Sequence, residues 1–103
     1  MRICFTTGGW RDFGIWLERD PASARKVLTL LTEILRTPRD GRGHPERLKH
    51  QAHTEVWSRR VAREHRLVYL IFDDEIVVVS MRGHYSVDLA FEIRNTSRRE
   101  RDE

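Results

Sequence analysis

Cutting RNA by internal attack needs three side-chain types. A base takes the proton of the 2′-hydroxyl, a cation stabilises the charge that develops on the phosphorus oxygens, and an acid protonates the departing 5′-oxygen. Glu46, Arg66 and His84 supply these types. Near them in the sequence stand Lys49, Arg59 and Arg60, cations suited to gripping phosphates, and the aromatic Tyr85, which could stack on a base or orient the scissile group. Composition alone leaves a rival reading open. Glu46 could be an ordinary surface carboxylate and Arg59 and Arg66 half of a solvated strand face, which would make the chain a non-catalytic RNA binder or a basic module for an acidic protein.

Other chemistries find less support. His50 and His53 have a spacing that zinc tolerates, but no Cys, Asp or second His pair completes a ligand set, so neither a metal nor a cofactor is expected. Ser58 and Ser80 lack a nucleophile elbow and read as strand residues. The lone Cys4 rules out an internal disulfide and, in an apolar run, reads as a buried thiol in a reducing compartment.

The charge is concentrated where the candidate residues are. Between positions 39 and 66 the chain has eight Lys/Arg against four Asp/Glu, an excess of four, while the whole chain carries a net +3. Such a field favours an anionic partner. Of nineteen basic residues only Lys26 and Lys49 are lysines. The arginine fork suits phosphate, although genome base composition produces the same bias. No stretch approaches the roughly 18 apolar residues of a membrane span, and no signal core follows a charged start, so a cytoplasmic protein with no membrane partner is expected.

At 103 residues and 39% hydrophobic content, the chain is expected to form one domain with one modest core. Residues 1–6 read as a strand, and residues 6–9 as a turn. Residues 10–19 read as a helix with Trp10 and Trp16 in the core rather than on a base-stacking surface. Asp20-Pro21 starts a second helix that runs to about Arg36, with a stripe of Ala24, Val27, Leu28, Leu31, Ile34 and Leu35. The segment PRDGRGHP at 38–45 is a loop. Strands follow at 55–61, 65–72 and 75–81, with a shorter one around 47–50.

A two-residue turn at Arg63-Glu64 would set Val61 opposite Arg66 and Arg59 opposite Val68, so that Trp57, Arg59, Arg66, Val68 and Leu70 share a face. The other face, carrying Val56, Leu67, Tyr69 and Ile71, would meet the helices. The expected class is α+β, two N-terminal helices packed on a twisted, mainly antiparallel sheet. Residues 86–103 form a C-terminal extension, at least partly disordered in its polar end NTSRRERDE.

The blocks TPRDGRGHPERLKH and VWSRRVAREHRLVY and the later His84-Tyr85 pair, in this order and spacing over residues 10–85, resemble the YoeB branch of the RelE superfamily, bacterial toxin–antitoxin endoribonucleases. The resemblance implies a RelE-like microbial RNase-type fold over residues 1–85. It also implies metal-independent cleavage of mRNA in the ribosomal A site and inhibition of translation. Glu46 would then be the general base, Arg66 the transition-state arginine, His84 the general acid and Tyr85 the terminal aromatic, with Lys49 and Arg59 holding RNA. A cognate acidic, YefM-like antitoxin and a homodimer are implied as partners, with operator DNA contacted only through the antitoxin. Strict alternation after the Asp73-Asp74 turn places His84 on the face opposite Arg66, so a bend is expected at Gly83 to re-aim it.

Overall fold

A computed structural model describes residues 1–48, 54–83 and Ile93. Five strands form one sheet: β1 (Arg2–Phe5), β2 (Glu46–Arg47), β3 (Val56–Ala62), β4 (His65–Ile71) and β5 (Glu75–Ser80). Their order is β1-β5-β4-β3-β2, with β1 parallel to β5 and every other pair antiparallel. Helices α1 (Thr7–Arg19) and α2 (Pro21–Arg36) connect β1 to the rest and cover one face. The α+β architecture is thus the expected one. No helix among the described residues is long and apolar enough to cross a membrane.

The start of α1 differs from expectation. Residues 6–9 are not a turn, because Thr6 caps the helix: its Oγ1 accepts from the Gly9 N–H at 3.1 Å. Gly9 is there for close approach, since a Cβ would fall 2.5 Å from the Val78 carbonyl oxygen. Pressed against β5 in this way, α1 buries Trp16 but turns Trp10 outward, 64% exposed and edge-on to Phe5. Trp10 is therefore not a core residue.

The second helix begins where Asp20 and Pro21 place it, with the Asp20 carboxylate accepting from the Ser23 N–H and hydroxyl. These bonds hold the Asp20 carboxyl below the usual carboxylate range. Its buried stripe is Ala24, Val27, Leu30, Leu31 and Ile34. Leu28 and Leu35 lie on the flank of that stripe and are exposed, while Leu30, on the other flank, is buried.

The sheet is apolar on both faces. One face, with Leu67, Tyr69, Ile71, Ile76 and Val78, packs on the helices. Val56, Val68, Leu70, Val77 and Val79 form a second cluster on the other face, so Val56 does not meet the helices as expected. That cluster includes Ile93, which is 0% exposed. The extension beyond residue 85 thus contributes a buried residue to the fold. Ile93→Ala should lower unfolding free energy by about 2–5 kcal/mol, the usual range for emptying a core position, whereas the exposed Leu35→Ala should stay within about 0.5 kcal/mol. Urea unfolding checks this, and equal midpoints for the two variants would refute the second core.

Candidate functional site

The hairpin between β3 and β4 positions the candidate residues, and its register is not that of a plain two-residue turn. Ala62 pairs with His65, but the next pairs are Arg60 with Arg66, Arg59 with Leu67 and Ser58 with Val68. Val61 is the extra residue of a bulge. A one-residue slip moves every side chain of a strand to the other face. Arg59 therefore goes to the helical side and Arg60 becomes the neighbour of Arg66, which corrects the expectation that Arg59 and Arg66 share a face.

On the face away from the helices, β2 completes the set, since Glu46 pairs with Ser58. Cross-strand partners share a face, so Glu46, Ser58, Arg60 and Arg66 lie together, bordered by the apolar Val68. Arg66 lies across this group. Its Nε donates to Ser58 Oγ at 2.8 Å, and its Nη2 donates to the Ser58 carbonyl at 3.1 Å and the His44 carbonyl at 2.6 Å. Nη1 makes no hydrogen bond among the described residues. Burial pushes the Arg66 guanidinium below the usual arginine value, Glu46 opposes that shift, and Arg60 adds to it. Two guanidinium groups against one carboxylate leave this patch net positive, suited to a phosphate beside a carboxylate base.

Ser58 was legible only as a strand residue. Its part as the acceptor that orients Arg66 follows from the bulge, for which its own position carries no signal.

Arg59 is placed elsewhere. It is 0% exposed, and its Nε donates to Tyr69 Oη at 3.1 Å. Nη1 donates to the Arg42 carbonyl, and Nη2 to the Thr37 and Asp40 carbonyls. With its donors engaged in this way, Arg59 is not on the surface expected to hold RNA. It anchors the loop instead. Tyr69 Oη donates in turn to the Pro38 carbonyl at 2.6 Å, and burial raises the phenol above its ordinary value.

The 38–45 loop is therefore built into the fold from several directions. Gly41 and Gly43 adopt φ of 117° and 83°, a region costly for side-chain-bearing residues. The Glu33 carboxylate accepts from the Arg42 N–H, and the Gly43 carbonyl accepts from the Arg60 N–H at 2.7 Å. Arg39 makes a bidentate pair with Glu55, which holds the Glu55 carboxyl below the usual range. Arg39 is thus tied to protein rather than following a phosphate chain. Out of this held loop the chain enters β2 at Glu46, which is exposed.

At the other end of the site, β5 stops at Ser80 and the chain bends rather than continuing as a strand. The Asp12 carboxylate accepts from the Met81 N–H at 2.9 Å, and Trp16 Nε1 donates to the Met81 carbonyl at 3.0 Å. Gly83 has φ 76°, so the bend expected there is present. Lys49, His84 and Tyr85, with His50 and His53, lie outside the described residues.

Comparison with known proteins follows the same blocks. The family model of the YoeB-like toxin of bacterial type II toxin–antitoxin systems matches residues 5–85. The chain is 39% identical over 85 residues to Toxin YoeB of Escherichia coli (strain K12), covering 82% of this chain and all of that protein. Its fold is similar to that of the YoeB dimer from Staphylococcus aureus, with TM-score 0.75, 34% identity and coverage of 82% of this chain and 98% of that one. It is also similar to the toxin in the heterotetrameric YoeB–YefM complex from Staphylococcus aureus, with TM-score 0.71, 36% identity and coverage of 81% and 95%. The family match ends before Ile93.

Proposed function

The chain belongs to the YoeB-like toxins of bacterial type II toxin–antitoxin systems, and from that premise we propose that it is a ribosome-dependent endoribonuclease that cuts mRNA in the ribosomal A site and so inhibits translation. The observation that supports the chemistry best is Arg66, drawn across Ser58 onto the face that Glu46 shares. In the proposed reaction Glu46 accepts the proton of the ribose 2′-hydroxyl, and the 2′-oxygen forms a bond to phosphorus. Arg66 balances the charge growing on the non-bridging oxygens. As the bond from phosphorus to the 5′-oxygen breaks, His84 gives its proton to that oxygen, leaving a 2′,3′-cyclic phosphate and a free 5′-hydroxyl. Every step runs on protein side chains and the substrate's own hydroxyl, without a metal or cofactor.

Arg60 and Lys49 hold flanking phosphates, and Tyr85 orients the scissile nucleotide. Arg59 acts at one remove by holding the loop that leads to Glu46. The toxin is proposed to be neutralised by an acidic, YefM-like antitoxin, in keeping with the Staphylococcus aureus complex, and to form a homodimer, in keeping with the Staphylococcus aureus dimer. Operator DNA would be reached only through the antitoxin, and the proposed place of action is the cytoplasm.

The test is translation in a purified system with mapping of RNA ends. Wild-type protein should produce new message ends at the A-site codon, and Glu46→Ala should cut about 10²-fold more slowly or worse, the low end of what a positioned base contributes. Intact message with wild-type protein, together with salt-sensitive ribosome association, would show instead a binder without catalysis.

A further inference from the structure

The bend at Gly83 is held by two consecutive residues at the start of β4. The Gly83 N–H donates to His65 Nδ1 at 2.7 Å, and the Arg66 N–H donates to the Gly83 carbonyl at 3.3 Å. The His65 ring is in turn fixed edge-on against Trp16, with centroids 5.1 Å apart and planes at 86°. Trp16 itself donates to the Met81 carbonyl. Ring, bend and helix therefore form one closed set of contacts just before residue 84. A hydrogen bond accepted at Nδ1 requires that nitrogen to be unprotonated, which leaves the proton of the neutral ring on Nε2. Gly83 has φ 76°, and among the described residues nothing lies within 4 Å of a Cβ position. Among the described residues its direction is set by these hydrogen bonds.

We propose that His65 is a positioning residue for message cleavage: by accepting the Gly83 N–H it sets the direction in which the chain leaves toward His84, while its neighbour Arg66 serves the same reaction from the same strand. This rests on the function proposed above, with His84 as the proton donor. His65 touches no substrate, so its effect belongs to the rate of the bound complex and not to affinity. Misplacing a catalytic group by about 1 Å costs on the order of 10²-fold, and that is the loss expected here.

Two variants of the full chain separate acceptor from packing. His65→Phe keeps an aromatic ring against Trp16 but has no acceptor. His65→Asn places an amide oxygen close to where Nδ1 was. In a purified translation system His65→Phe should cut about 10²-fold more slowly at saturating toxin, with an unchanged half-saturating concentration, and His65→Asn should recover most of the rate. Amide exchange by NMR gives an arm independent of cleavage: Gly83 should be protected in wild type and His65→Asn and unprotected in His65→Phe. The wild-type ring nitrogen shifts should also report the Nε2–H tautomer, a reading that needs no variant to fold. A fast-exchanging Gly83 in wild type, or His65→Phe cutting at the wild-type rate, overturns the proposal. If wild type leaves message intact while Gly83 protection follows the acceptor as expected, the proposed function fails, and the role of His65 in cleavage goes with it, whereas the anchored bend stands.

Discussion

Arg66→Ala should reduce message cleavage by about 10³-fold, within the range measured when a preorganised charge stabiliser is removed. The reason lies in how the guanidinium is held. Three hydrogen bonds, to Ser58 Oγ and to the carbonyls of Ser58 and His44, fix its plane before any substrate arrives. It needs no reorganisation when charge develops on the phosphate. Arg66→Lys keeps the charge but cannot reach three acceptors with a fixed fork, so it should restore little of the rate. The cost to folding should be small, about 1–2 kcal/mol, because the lost bonds lie at a partly exposed edge. A thermal melt therefore distinguishes lost chemistry from lost fold. Cutting by Arg66→Ala within tenfold of wild type would remove Arg66 from the transition state.

The elements and the site were not equally legible. Helix α2 announced itself through Asp20-Pro21 and its apolar repeat, and the β4–β5 hairpin through Asp73-Asp74, because caps and turns are local chemistry written in adjacent residues. The bulge at Val61 was not legible. A plain turn at Arg63-Glu64 satisfies the same alternation, and the choice between the registers is made by distant partners: the loop carbonyls that Arg59 reaches and the Gly43 carbonyl that pairs with the Arg60 N–H. With the plain register, Arg59 is placed on the Arg66 face that Arg60 in fact occupies. Trp10 failed for a related reason. Helical spacing gives a face, but the approach of Gly9 to Val78 decides how the helix is turned on the sheet. Gly83 came out as expected, since a glycine where the alternation misplaces a needed side chain is itself the signal of a bend.

Arg59→Ala and Arg60→Ala, adjacent in the sequence, should behave as opposites. Removing the Arg59 guanidinium leaves Tyr69 Oη and the carbonyls of Thr37, Asp40 and Arg42 without their shared donor in a site that admits little water. Breaking a buried charged network from one side costs about 3–5 kcal/mol, a large part of the roughly 5–15 kcal/mol that holds a small domain together. Tyr69→Phe is the graded form, with about 1–2 kcal/mol expected because it removes one acceptor of Arg59 and the donor to Pro38. It should also slow cleavage, because the loosened loop leads directly into Glu46. Arg60→Ala, on the exposed face, should change stability by no more than about 0.5 kcal/mol while weakening ribosome association and lowering its salt dependence by about one counterion. Denaturant midpoints and salt titrations on the two proteins decide the matter. If Arg60→Ala proves the more destabilising, the bulge at Val61 is wrong, and the patch of Glu46, Arg60 and Arg66 loses the register that assembles it.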